Sequence, residues 1–135
     1  MMDSTVKPDT PSNTTGVSIK VQTRYLERES QPGKSSFAFT YTISITNHRQ
    51  EAVQLLRRHW IINDQNNRRK EVKGKGVIGR QPTIQPGETF TYSSGAVITT
   101  EIGDMRGSYT MQLPDGSLIE VPIPVFVLAP PMMLH

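Results

Sequence analysis

Apolar and polar residues alternate with a period of two along much of this chain, and this alternation constrains its fold more than any other feature. In the segment FAFTYTISITN, one face carries Phe37, Phe39, Tyr41, Ile43 and Ile45, and the other carries Ala38, Thr40, Thr42, Ser44 and Thr46. The segment GVSIKVQTRYL alternates in the same way, and both segments are rich in β-branched and aromatic residues, which favour strands. Because no window shows a sustained helical period, the sequence predicts an all-β fold.

Turn signals divide the chain into short strands. The segments SQPGKSS, DQNNRR, QPGE and PDG each interrupt an alternating stretch with residues that favour turns. About seven or eight strands separated in this way are typical of a two-sheet antiparallel sandwich. The last strand contains Pro122 and Pro124, which lack backbone donors. Such a strand can pair on one side only, so it is predicted to lie at a sheet edge.

The length of 135 residues suits a single domain. Residues 1–15 hold few apolar side chains and are predicted to be a disordered tail, residues 16–129 the folded domain, and residues 130–135 a short C-terminal tail. No stretch is long and apolar enough to span a bilayer, so no membrane association is expected. The chain has no cysteine, which excludes disulfides and thiol chemistry and favours a cytoplasmic protein.

Positive charge is concentrated in one segment. The net charge of the chain is +3, but the segment between Arg57 and Arg80 holds eight cations against Asp64 and Glu71, a net of +6. The cations are Arg57, Arg58, Arg68, Arg69, Lys70, Lys73, Lys75 and Arg80. Such a patch attracts phosphates, nucleic acid or acidic protein surfaces, although a strand pair that is merely solvated has the same composition. Nucleic acid is disfavoured because aromatic residues, which stack on bases, make up only 7% of the chain.

Three glycines in this segment, Gly74, Gly76 and Gly79, have the spacing G-x-G-x-x-G of dinucleotide-binding loops. That function requires a helix beginning within the motif, and Pro82 and Pro86 would break such a helix. Two interpretations stay open. The glycines permit bulges and positive φ where a strand bends. Alternatively, they form an anion nest of backbone amides flanked by basic side chains. The candidate anion-binding residues are Lys73, Gly74, Lys75, Gly76, Gly79 and Arg80.

Other catalytic chemistry finds little support. The histidines are His48, His59 and His135, and His59 has no carboxylate near it in sequence. It precedes Trp60, which is predicted to be a core residue, so His59 is interpreted as a structural strand residue. Asp104 alone does not make a metal site. The sequence therefore predicts no catalytic residue, no metal ligand and no cofactor.

Several motifs, in order and at matching spacing, resemble the ApaG family, also called CorD. They are VQLLRRHWII.D, EVKGKGVIGRQP.IQPGE.F.Y.SG, GDMRGSYTMQLPDG and VPIPVFVL, and they cover roughly Gly16 to Leu128. The resemblance implies a fibronectin type III-like β-sandwich. It also implies a link to cobalt resistance and magnesium efflux, and a suggested pyrophosphate site at Gly74, Gly76 and Gly79. Positions 75 and 80, often acidic or otherwise non-basic in the family, are basic here, which favours an anion site in this member.

These observations favour a non-catalytic binding module that docks on a protein partner or on a phosphate-bearing anion. An alternative is an enzyme or regulator acting on pyrophosphate or dinucleoside polyphosphates, but acids that could hold a metal are sparse around the glycine loop. A further alternative is an accessory factor in magnesium and cobalt homeostasis. The identity of the partner or anion stays open, as does the formation of a homodimer.

Overall fold

The computed structural model describes residues 14–131, and these contain eight strands and no α-helix. The strands are β1 (Val17–Tyr25), β2 (Phe37–Asn47), β3 (Val53–Asp64), β4 (Arg69–Lys75), β5 (Thr83–Ile84), β6 (Thr89–Ile98), β7 (Gly103–Gln112) and β8 (Leu118–Leu128), with a short 3₁₀ turn at Pro32–Lys34. The predicted all-β fold is therefore confirmed. Within the described range, no helix has the length and apolar character needed to cross a membrane.

The strands form two antiparallel sheets that pack face to face. One sheet has the order β1-β2-β6, and the other has the order β4-β3-β7-β8, with the short strand β5 pairing with β3 beyond the end of β4. This is the predicted two-sheet sandwich of the fibronectin type III-like kind. The strand β3 is central, because it pairs with β4 and β5 on one side and with β7 on the other.

The core lies between the sheets and is built from the inward face of each alternating strand. Phe39, Tyr41, Ile43 and Ile45 of β2 are all buried, as the alternation predicts. Trp60 is only 2% exposed, which confirms its prediction as a core residue. An aromatic cluster joins the two sheets around the Trp60 ring, whose centroid lies 5.4 Å from Tyr41, 6.3 Å from Tyr109 and 5.8 Å from Phe126. The Trp60 ring is therefore packed between side chains of both sheets.

The turns follow the local chemistry of the sequence. Between β3 and β4, Asn67 adopts a left-handed conformation with φ of 60°, and between β7 and β8 Gly116 does the same with φ of 89°. The turn from Gln85 to Glu88 places Gly87 at φ of 81°, as a type II turn requires at that position. Asn and Gly tolerate positive φ at little cost, so the turns at Asn67 and Gly116 fix the register of β3 with β4 and of β7 with β8. The turn at Gly87 carries the chain from β5 in one sheet to β6 in the other.

The five-stranded sheet has two free edges, β4 and β8. The position of β8 confirms the prediction made from Pro122 and Pro124. The register between β7 and β8 shifts between Met105 and Gly107, so β8 is also bulged. Of the predicted tails, residues 1–13 and 132–135 lie outside the described residues, and the boundaries at 15 and 129 stay predictions.

Candidate functional site

The glycine loop follows the edge strand β4 and contains a tight reverse turn. The N–H of Val77 donates to the carbonyl of Arg80 (2.8 Å), and the N–H of Arg80 donates to the carbonyl of Val77 (2.9 Å). The two residues between them both have positive φ, 44° at Ile78 and 76° at Gly79, which is the geometry of a type I′ turn. A β-branched residue in this conformation is unusual, and the Ile78 side chain is 54% exposed. The loop therefore holds local backbone strain at the surface.

The three glycines of the motif differ in what an added side chain would meet. Gly76 has φ of 64°, and a Cβ there would lie 2.3 Å from the carbonyl oxygen of Arg80. At Gly74, a Cβ would meet the guanidinium of Arg58 at 2.7 Å. Gly79 has open space around it, so only its positive φ favours glycine. Gly76 and Gly79 thus have a conformational explanation within the fold, whereas the contact at Gly74 is with the far end of the Arg58 side chain.

Arg58 of β3 turns inward beneath the loop. Its Nη1 donates to the carbonyl of Gly76 (2.8 Å) and to that of Lys75 (3.1 Å). The N–H of Gly76 donates to the carbonyl of Leu56 (2.8 Å), which lies where the β3–β7 register shifts. The side-chain amide of Gln81 donates to the same carbonyl (2.9 Å). The loop backbone is therefore held to β3 by two side chains, Arg58 and Gln81, and by the main-chain bond from Gly76, rather than left free for a ligand.

The loop amides differ in their availability. The Gly76 amide is bonded to Leu56, and Gly74 belongs to the ladder with β3, where it lies opposite Arg58. Among the residues that the structure describes, the amides of Ile78 and Gly79 have no protein acceptor. An anion at this loop would therefore meet the amides of Ile78 and Gly79, not those of Gly74 and Gly76. Anion binding itself stays a prediction.

The predicted basic residues do not converge on one point. Val72 packs against the core. Side chains alternate between the two faces of a strand, so Lys73 and Lys75 point to the outer face of the five-stranded sheet. Arg80 turns toward the other sheet, where its guanidinium carbon lies 5.2 Å from the centre of the Phe90 ring, within the range of a cation–π contact. Because the two lysines and Arg80 face different ways, the six candidate residues form two surfaces and not one.

On the outer face, Arg57 lies opposite Lys75 in the register of β3 and β4. In an antiparallel pair, side chains of opposite residues share a face, so Arg57, Lys73 and Lys75 form one surface, which we call the basic face. In residues 14–131 the two ion pairs are His59–Glu71 and Arg106–Asp104. In the described chain no carboxylate forms an ion pair with Arg57, Lys73 or Lys75, although Glu71 lies beside Lys73 on the same face.

Sequence reasoning did not find the partner of His59. The hairpin register places His59 next to β4, and its Nε2 donates to the carboxylate of Glu71 at 2.5 Å. This hydrogen bond, together with the charges of Lys73 and Arg69, lowers the pKa of Glu71. The acid on this surface is thus occupied by His59. The signal for this pair is cross-strand and appears only once the register is known.

A second pair that the sequence does not reveal lies inside the sandwich. The hydroxyls of Tyr92 and Tyr109, from opposite sheets, are 2.5 Å apart and buried. Burial raises the pKa of both side chains far above the ordinary tyrosine value. Both phenols therefore stay neutral and satisfy one another, a role in joining the sheets. Elsewhere His48 bonds Ser18 (2.9 Å), and the described residues contain no group of three or more side chains suited to holding a metal.

Known proteins are similar to this chain in both sequence and structure. A sequence model described as the ApaG domain matches residues 27–113. A protein named ApaG from Pseudomonas paraeruginosa is 50% identical over 119 residues, which cover 88% of this chain and 94% of that protein. An X-ray structure of a structural-genomics target superposes with a TM-score of 0.84 at 40% identity, covering 90% of this chain and 92% of that one. A crystal structure of a protein from Bordetella pertussis gives 0.83 at 44% identity, covering 85% and 94%.

Proposed function

The chain belongs to the ApaG family, and from this premise we propose that it is a non-catalytic docking module whose basic face binds an acidic protein partner. One observation carries the proposal. Arg57, Lys73 and Lys75 lie together on the outer face of an exposed hairpin, and no carboxylate of the described chain forms an ion pair with them. Charges arranged in this way steer a partner of opposite charge and select against partners of like charge.

The neighbourhood of the basic face supports binding rather than chemistry. The one acid within it, Glu71, is held by His59, so it is not poised as a base or as a metal ligand. Under this proposal, the link to cobalt resistance and magnesium efflux is an indirect result of docking on another protein. The same proposal has the module acting in the cytoplasm, in keeping with a chain that has no cysteine.

A second candidate function is binding of pyrophosphate or a dinucleoside polyphosphate, as a regulator or an enzyme. The unengaged amides of Ile78 and Gly79 favour it, because successive amides in a left-handed turn can hold an anion. Against it, Arg80 is directed toward Phe90, and the loop carbonyls of Lys75 and Gly76 are turned to Arg58. A phosphate there would be held by few groups, so we rank this function second.

The test compares two variants that lose equal charge. Arg57→Gln/Lys73→Gln/Lys75→Gln removes the basic face, and Lys20→Gln/Arg24→Gln/Lys34→Gln removes three exposed cations elsewhere. The probe is a Glu-rich peptide, measured by calorimetry at several salt concentrations. We expect the first variant to lose about tenfold in affinity, since each exposed charge pair contributes up to about 1 kcal/mol, and the matched variant to keep it.

Two results would overturn the proposal. Equal losses in both variants would mean that overall charge, and not the basic face, attracts the peptide. Binding of inorganic pyrophosphate with shifts at the Ile78 and Gly79 amides, without binding of the peptide, would replace docking with the second function.

A further inference from the structure

The edge strand β4 presents unused backbone groups. The N–H of Gly76 donates to Leu56 (2.8 Å), and at the other end of the hairpin the N–H of Asp64 donates to Arg68 (3.1 Å). An antiparallel ladder alternates between pairs that exchange bonds and pairs that do not. These two bonds show which residues of β4 are hydrogen-bonded to β3. Glu71 and Lys73 lie at the alternate positions, so their N–H and C=O groups point away from β3 and toward the free edge.

Nothing in the described chain pairs with this edge. The strand β3 is the partner of β4 in residues 14–131, and Glu71, Lys73 and Lys75 are exposed. The segment RKEVKGK contains no proline, so each residue keeps its donor. An edge of this kind is a template for an added strand.

The side chains decide what kind of strand can be added. Lysine on an edge disfavours pairing with a second copy of the same strand, because like charges would face each other. Lys73 and Lys75 lie on the outer face beside Arg57, so an incoming strand places every second side chain next to the basic face. An acidic residue opposite Lys73 or Lys75 would be matched in charge, whereas one opposite Glu71 would meet a like charge.

The other side chains of an added strand would point toward the space between the sheets. There a shallow pocket of about 190 Å³ lies beside the start of β4, between Ile62 and Lys70 on one sheet and Val97 on the other. Val97 is 63% exposed, and is among the large apolar side chains most open to solvent in the described chain. Small apolar residues at the alternate positions would cover it.

We propose that β4 binds an extended segment of a protein partner by strand addition, antiparallel to β4, with acidic residues alternating with apolar ones. The residues that exchange backbone bonds with Glu71 and Lys73 lie on the outer face. Acidic side chains are matched in charge beside Lys73 and Lys75, and the position opposite Glu71, which His59 holds, gains nothing from an acid. This inference rests on the proposed function, because it specifies how the acidic partner is held. It adds that the backbone of the partner, as well as its charge, is recognised.

The experiment uses a blocked peptide of about nine residues of alternating Glu and Val, a length typical of a strand, with the full chain labelled for NMR. Two modified peptides carry N-methyl groups, one on the Glu amides and one on the Val amides. Both keep the same charge. We expect the Glu-methylated peptide to bind at least about tenfold more weakly than the Val-methylated one, because only the Glu amides face β4. Slower hydrogen exchange at Glu71 and Lys73 should accompany binding of the unmodified peptide.

A pair of protein variants tests the same contact from the other side. Lys73→Gln removes the charge alone, and Lys73→Pro removes the charge and the outward donor, a change that an edge position tolerates. Lys73→Pro should bind more weakly than Lys73→Gln, with circular dichroism to check that both fold. Equal binding of the two methylated peptides would overturn strand addition and leave charge-based docking intact. If the protein without substitutions does not bind even the unmodified peptide, docking itself would be overturned.

Discussion

The two edges of the five-stranded sheet are protected in opposite ways. At β8, the N–H of Leu113 donates to the carbonyl of Ser117 across the β7–β8 turn (2.9 Å). Pairs that exchange hydrogen bonds alternate with pairs that do not, so the backbone nitrogen of Pro122 faces away from β7. Any other residue at this position would present a free N–H at the edge. A bulge opposite Arg106 adds a bend. At β4, the strand keeps its donors and instead carries Lys73 and Lys75.

The difference has a functional meaning. A proline removes the hydrogen-bond donor, so it closes an edge to any strand, whatever its sequence. A lysine leaves the donor in place and adds charge, so it closes an edge to strands of like charge and leaves it open to acidic ones. The β8 edge is therefore interrupted at Pro122 by the loss of a backbone donor, and the charges of Lys73 and Lys75 make the β4 edge selective for acidic strands.

The largest expected effect concerns the loop that ends the β4 edge. Gly76→Ala should cost about 2–4 kcal/mol of folding free energy, because alanine is strained at positive φ and its Cβ would collide with the carbonyl of Arg80. Gly79→Ala, with positive φ but open space, should cost only about 1 kcal/mol. Urea denaturation measures both. Equal costs would show that the close approach at Gly76 relaxes easily.

A smaller effect is expected from opening the β8 edge. Pro122→Val/Pro124→Val should return donors to β8 and increase self-association, while changing the free energy of unfolding by less than about 1 kcal/mol. Sedimentation velocity over a range of concentrations measures the association. Pro114→Ala, in the β7–β8 turn, is the control because it adds no donor to the strand edge. If the double variant associates no more than the control, the prolines are not what protects this edge.

The smallest effect concerns the β3–β4 turn and the β7–β8 turn, which lead into the two edge strands. Each contains an aspartate whose pKa is lowered in the folded state. Burial tends to raise the pKa of Asp64, but hydrogen bonds from the amides of Arg68 and Asn66 and from the Thr99 hydroxyl outweigh it and lower the pKa. The side chain and amide of Ser117 lower the pKa of Asp115 in the β7–β8 turn.

A lowered folded-state pKa makes a contribution to stability that is present above the unfolded value of about 3.9 and is lost as the pH falls through the folded value. Carboxyl-carbon NMR titration should find both groups titrating below the ordinary range, and Asp64→Asn and Asp115→Asn should each flatten the acid limb of the stability curve slightly. A normal pKa at only one of them would show that the two turns are not equivalent.

Much of the fold could be predicted because its signals are local. The alternation along β2 assigned Phe39 and Tyr41 to the core, and the segment DQNNRR was predicted to be a turn, where Asn67 has positive φ. Each of these signals acts over a few residues, through side-chain packing on a pleated strand or through backbone sterics. Sequence also identified β8 as an edge, since a proline lacks its donor wherever it lies.

The candidate site was predictable only in part. The sequence grouped Arg58, Lys73, Lys75 and Arg80 as one patch, but the fold turns Arg58 inward and Arg80 toward Phe90. Whether a residue faces the core or solvent depends on strand register and on the bulge at Leu56, and these are set by pairing with β7. The bond from His59 to Glu71 likewise exists only across a formed hairpin.

The sequence by itself determined that this chain is a β-sandwich of alternating strands, with glycines where the backbone must turn and prolines that close one edge. Only the tertiary structure decided that β4 is the other edge. Nothing within RKEVKGK marks it so, because a strand becomes an edge through the lack of a neighbour, and strand order is a property of the whole sheet. At this edge, Lys73 combines a backbone N–H that has no partner in the sheet with a charged side chain that forms no ion pair.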